Sequence, residues 1–182
     1  MTDTQPPRRA DVLTSTSERL EAGELTLAEY EAMLRAVSEL TGIFEHERSY
    51  FVLGNYDREP MRRLNLVVDR LNRRPDAYAF RMVDVRGDWD NGIQKFCLLA
   101  DLVTHVVGVA EKEPSDFLVE QGLLIGSEEY VSKSVVLKRE YPDADRPFGW
   151  MQDGVFELLE AEGRLHRWET EADLVDAVDA VP

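Results

Sequence analysis

Apolar positions near the amino end recur at helical spacing. Leu27, Tyr30, Met33, Leu34, Val37 and Leu40 make one stripe with Gly42 past its end. Thr26 and Glu29 stand in front of it at capping-box spacing. A short helix is expected over 18–22, and the polar, proline-containing residues 1–16 are expected to form a mobile tail. After residue 47 the pattern becomes short apolar runs alternating with amphipathic stretches. Residues 49–56, 77–85, 103–110, 130–139 and 164–168 read as strands. Helices are expected between them. Pro60 opens one with Met61, Leu64, Val67, Val68 and Leu71 on one face, and others cover 93–99 and 115–126. A further helix carries Val155, Leu158 and Leu159, and Thr170 caps a last one with Leu174, Val175 and Val178.

Strands alternating with helices imply right-handed crossovers and a parallel sheet covered on both faces. The β-branched run at 103–110 suits a central strand buried on both sides. The expected architecture is a flavodoxin-like three-layer α/β sandwich with a five-stranded, mostly parallel sheet in the order 2-1-3-4-5. It divides into a tail (1–16), a helical arm (17–46) that packs on the domain or on a second copy, and one α/β domain (47–182). In that order strands one and three are neighbours, and ligands bind outside their carboxyl ends. This places Gly54, Asn55, Tyr56 and Asp57 beside the acidic stretch 111–120, with Asp88 and Trp89 after strand two closing over the same mouth.

One residue in that crevice contradicts its surroundings. Glu120, between Phe117 and Leu124, occupies the apolar stripe of its own helix, where a side chain turns toward the sheet. Burying an unpaired carboxylate costs several kcal/mol or drives its pKa upward, so such positions are expected at functional or strained sites. The plain alternative is that Glu120 caps backbone amides or pairs with an arginine such as Arg58. Around it, Gly54 permits close backbone approach, Tyr56 offers a stacking face, and Asn55 and Asp57 can hydrogen-bond sugar hydroxyls. Glu111 and Asp116 add carboxylates. An acidic crevice with an aromatic wall suits an oxocarbenium-like transition state, with one glutamate as nucleophile or electrostatic stabiliser at an anomeric carbon.

Charge narrows the partners. The chain has 36 acidic against 21 basic residues, a net of −15, and only four lysines. Such a surface on a chain 43% hydrophobic looks like that of a soluble protein from a high-salt cytoplasm, where screening removes self-repulsion. Its arginines are scattered among carboxylates, which argues against nucleic-acid binding. No apolar run is long enough to span a membrane and residues 1–9 lack a signal-peptide core, so a cytoplasmic location is expected. The single cysteine, Cys97, lies in an apolar run and reads as a core residue. His46, His105 and His166 have no metal-ligand spacing, and no phosphate-binding loop or nucleophile elbow is present, so no metal or cofactor is expected. Asp101 precedes strand three and belongs to the opposite end of the sheet. Trp150 and Trp168 read as core or interface aromatics.

Three segments also carry a resemblance. They are Gly54-Asn55-Tyr56 closing the first strand, Ala100-Asp101-Leu102-Val103 before the central one, and an acidic loop leading to Glu120-Gln121-Gly122. Together, over about residues 49–136, the chain resembles the nucleoside 2-deoxyribosyltransferase-like superfamily and, more distantly, the TIR-type NAD glycohydrolases. The resemblance implies that Tyr56 contributes to a nucleoside pocket and that Glu120 is the nucleophile. Two positions depart from the family pattern: residues 116–119 are bulky where it has glycine and small residues, and Gln121 replaces an apolar residue. The expected function is a nucleoside- or nucleotide-binding domain that cleaves or transfers an N-glycosidic bond, of NAD or a nucleoside. The alternative is a non-catalytic ligand-sensing or protein-interaction domain on the same scaffold, self-associating as a homodimer.

Overall fold

The computed structural model describes residues 8–23, 25–86, 89, 91–112, 117–144 and 147–182, with 117–119 described by backbone alone. Five strands, β1 (Arg48–Leu53), β2 (Ala77–Arg81), β3 (His105–Ala110), β4 (Ser134–Arg139) and β5 (Leu165–Trp168), form one sheet in the order β2-β1-β3-β4-β5. Every pairing is parallel. The α/β architecture and strand order are those expected. At the amino ends of β1 and β3, Ser49 N–H donates to Thr104 Oγ1 (2.9 Å), while Thr104 N–H and Oγ1–H donate to Ser49 Oγ (3.0 Å) and O (2.9 Å). These buried bonds help hold the register that sets Tyr50 opposite His105.

Alternation along the strands feeds two cores. Tyr50, Val52, Val107, Val109, Val135 and Leu137 meet Leu64, Val67 and Leu71 of α4 (Arg58–Asn72) and Leu174, Ala177 and Val178 of α9 (Glu171–Asp179). On the other face, Phe51, Leu53, Phe80, Val106 and Val136 meet three further helices. These are α2 (Leu27–Glu39) through Met33 and Val37, α5 (Gly92–Leu102) through Phe96 and Leu99, and α8 (Trp150–Ala161) through Phe156 and Leu159. Each such side chain contributes about 1.5–3 kcal/mol on burial.

Element boundaries differ from expectation where side chains intercept the backbone. The chain is helical from Arg9, because α1 (Arg9–Glu21) lays Val12 and Leu13 on the core and buries Thr16. The mobile tail thus does not reach residue 16. With α2 and the short α3 (Thr41–Glu45), α1 packs on its own domain. Strand β2 ends at Arg81, whose N–H donates to Asp84 Oδ2 (2.8 Å) and diverts Met82–Asp84 into a 3₁₀ turn. The residues expected to open strand four instead form α7 (Glu128–Lys133), and Ser134 Oγ–H closes it on Tyr130 O (2.7 Å). Trp168 is buried with its indole N–H donating to Leu137 O (3.0 Å), whereas Trp150 is 74% exposed and lies outside the core. Among the described residues no helix is long and apolar enough to cross a membrane.

Candidate functional site at the carboxyl ends of β1 and β3

Beyond Leu53 the chain leaves the sheet at Gly54. A Cβ there would stand 2.7 Å from Leu64 Cδ2 and 3.1 Å from Val109 O, so this glycine lets α4 and β3 close on β1. That is a packing requirement. Asn55 follows, 8% exposed, with its Oδ1 accepting from Asp57 N–H at 2.9 Å. This Asx turn fixes the carboxamide and aims the chain into α4. It also assigns the free end of the amide: Asn55 Nδ2 is buried and has no hydrogen-bond partner among the described residues. Asp57 is the exposed residue before α4, with its backbone oxygen accepting from Met61 N–H and no cap bond from its carboxylate.

Tyr56 and Glu120 come together. Glu120 lies in the first turn of α6 (Phe117–Ile125), is 6% exposed, and faces inward as its place in the apolar stripe predicts. Burial raises the Tyr56 hydroxyl above its ordinary pKa, and the nearby Glu120 charge raises it further. The phenol therefore stays protonated, a donor beside a carboxylate. Its oxygen is buried without a partner in hydrogen-bond geometry among the described residues, although the Met82 amide faces it.

Arg81 and Asp84 complete this side of the mouth, and both act electrostatically on Tyr56. Arg81 donates to Asp84 through Nε (2.9 Å) and Nη2 (2.6 Å), and to Asn65 Oδ1. Neither residue was singled out from the sequence, where both fell inside an expected strand. The available signal was the Arg-x-x-Asp spacing that closes a turn. Trp89 is half-buried against the core, with the Lys95 ammonium 5.9 Å from its ring centroid and its indole N–H unpartnered among the described residues. Asp88 and Asp116 lie outside the described residues.

Glu111, expected to contact a ligand, is held in a buried ion cluster. Its side chain is 5% exposed, with Arg63 Nε at 2.6 Å from Oε1, off the hydrogen-bond axis, and Arg63 Nη2 donating to Oε2 at 3.1 Å. Arg139 Nη1 donates to Oε1 at 3.2 Å. One buried carboxylate thus ties α4 and the end of β4 to the end of β3, and its oxygens are committed to guanidinium groups.

Other candidates lie away from the mouth. Asp101 accepts from Tyr130 Oη–H (2.7 Å) at the amino-end side of the sheet, and burial pushes the half-buried Cys97 thiol up. His105 stacks on Tyr50 (5.2 Å between centroids). Burial, then the charges of Arg48, Arg164 and Arg74, push its pKa down to about 4. Among the described residues no cluster of three or more His, Cys, Asp or Glu is arranged to hold a metal ion.

Fold and site define an all-parallel α/β protein of switch-point type, with a buried carboxylate within electrostatic reach of a protonated tyrosine at the mouth. The chain belongs to a protein family of unknown function, DUF8170, whose model matches residues 1–147 and so includes every site residue named above. No curated protein matches the chain.

Proposed function

We propose that this protein binds a nucleoside or nucleotide at the carboxyl ends of β1 and β3 and cleaves or transfers its N-glycosidic bond. The observation that carries this reading is the inward-facing, 6% exposed carboxylate of Glu120 within electrostatic reach of the Tyr56 hydroxyl. The bond from the anomeric carbon to the first base breaks as Glu120 attacks that carbon or stabilises the oxocarbenium-like transition state, and the base leaves with a proton; water, or a second base in transfer, then takes the sugar, releases the Glu120 carboxylate and gives up a proton. Tyr56 and Asn55 each present a buried donor group with no hydrogen-bond partner among the described residues, which suits a ligand bringing sugar hydroxyl oxygens to that depth. The resemblance to the nucleoside 2-deoxyribosyltransferase-like superfamily supports the substrate class. The free, half-buried thiol of the single cysteine is consistent with a cytoplasmic setting.

The test is a panel of NAD and ribo- and deoxyribonucleosides, with base release followed chromatographically in molar salt. Wild type is expected to release base, and Glu120→Gln to do so about a hundredfold or more slowly while still binding. Hydrolysis undiminished in Glu120→Gln removes Glu120 from the mechanism. Binding without turnover in the wild type selects the non-catalytic, ligand-sensing reading of the same scaffold.

A further inference from the structure

Helices α6 and α8 border a groove that the proposed reaction does not use. It is open, about 420 Å³ in volume, and lies within the size range of small-molecule sites, about 300–1,000 Å³. Ile125, Met151 and Leu158 give it apolar walls and remain 42%, 66% and 48% exposed. Two further lining residues are glycines that the fold does not explain. Gly122 and Gly154 stand inside their helices, where glycine is destabilising relative to alanine, yet neither has a positive φ. A Cβ at either would meet no atom within 4 Å. Packing therefore does not demand a glycine there, and what the missing side chains leave is the open space of the groove.

A polar group at the same place points to what fills that space. Gln121 lines the groove and is 3% exposed. Its Oε1 accepts from Gln152 Nε2 of α8 at 3.3 Å, whereas its own Nε2 is buried with no hydrogen-bond partner among the described residues. A buried donor left unsatisfied is costly and rare, and an acceptor brought in by a ligand removes that cost. Charge narrows the ligand further. No charged side chain lines the groove, although 31% of the chain is charged and its net is −15. Asp153 and Glu157 follow lining residues on α8 and repel an anion, while a cation finds no carboxylate inside the groove to replace its water. An uncharged molecule meets neither obstacle.

We infer that the α6–α8 groove binds an uncharged small molecule with an apolar body and one hydrogen-bond acceptor, such as a carbonyl, which Gln121 Nε2 holds. The body lies over Gly122 and Gly154, covered by Ile125, Leu158 and the adaptable side chain of Met151. None of the residues named at the mouth lines this groove. The inference therefore stands independently of the proposed reaction.

The test uses two fluorescent probes titrated with the full chain: prodan, an uncharged naphthalene ketone, and dimethylaminonaphthalene, which lacks the carbonyl. Wild type is expected to bind prodan saturably with a Kd on the order of 100 μM, as its size allows, and the carbonyl-free probe about fivefold more weakly. Gly154→Leu fills the groove and weakens both probes by about tenfold or more, while its melting temperature equals or exceeds that of wild type because a mid-helix glycine is replaced. Gln121→Met removes the donor and weakens prodan about fivefold, leaving the carbonyl-free probe unchanged. Absence of saturable prodan binding, binding undiminished in Gly154→Leu, or equal effects of Gln121→Met on the two probes overturns the assignment.

Discussion

Replacing Glu111 by glutamine removes the negative charge at the centre of a buried cluster and leaves two arginines facing each other. Arg63, whose side chain is 10% exposed, loses the charged partner at 2.6 and 3.1 Å, and among the described residues its remaining carboxylate is that of Glu59 at 3.9 Å. Arg139 is 31% exposed and can turn to water. A unit charge pair near 4 Å is worth about 4 kcal/mol at an effective dielectric of about 20. Breaking a buried pair by removing one partner costs about 3–5 kcal/mol. With the Arg139 share discounted for exposure, Glu111→Gln is expected to destabilise by about 3 kcal/mol, Arg63→Ala by a similar amount, and Arg139→Ala by about 1 kcal/mol. The assay is urea unfolding at pH 7 with an unchanged m value, in low and in molar salt. The cluster is buried, so the Glu111→Gln penalty is nearly the same in both, unlike that of surface pairs such as Arg70–Asp179. A penalty below about 1 kcal/mol, or one that vanishes in molar salt, would refute this structural role and return Glu111 to the ligand-binding candidates.

The remaining predictions concern the scaffold and its solvent. His105 has a folded pKa of about 4 against an ordinary 6.5, so the unfolded chain binds more protons between these values and stability falls with pH through that window. Lowering pH from 7 to 4 should therefore cost wild type up to about 3 kcal/mol more than His105→Phe, less what solvent at the partly exposed ring takes back; equal acid limbs in urea midpoints would sink this. Gly54→Ala forces a methyl against Leu64 and the Val109 carbonyl and should destabilise by about 1–3 kcal/mol, with a smaller loss counting against the packing role. With 36 acidic and 21 basic residues, the melting temperature should climb as salt rises toward molar, and a flat response would argue against a high-salt surface.

The sheet was legible because burial on both faces forces continuous β-branched runs, and helices between such runs leave few topologies. Its edges were less legible, since single side-chain bonds decide them. Asp84 captures the Arg81 amide and shortens β2, and nothing in residues 77–85 taken alone distinguishes that from a strand. The polar sequence of α1 hides the few positions, Val12, Leu13 and Thr16, that anchor it. In the site, Glu120 could be singled out because it breaks a local pattern, which a sequence displays directly. The role of Glu111 could not be read, since Arg63 and Arg139 lie 48 and 28 residues away and only the fold brings them to it.

These placements change what the charge of the chain means for its ligand. A net of −15 spread over the surface opposes a polyanion that must contact many side chains at once. A mononucleotide at the crevice meets a different local balance. Among the described residues there, Glu111 is outnumbered by Arg63 and Arg139, Arg81 and Asp84 neutralise each other, and Glu120 supplies one further negative charge. With Asp57, Arg58 and Glu59 at the start of α4 and Lys112 after β3, these charges sum to zero. The described wall thus opposes a phosphate far less than a net of −15 implies, and the Glu120 carboxylate stands within electrostatic reach of a protonated tyrosine. The acidic composition accordingly weighs against nucleic acid as a partner without weighing against a nucleotide as a substrate.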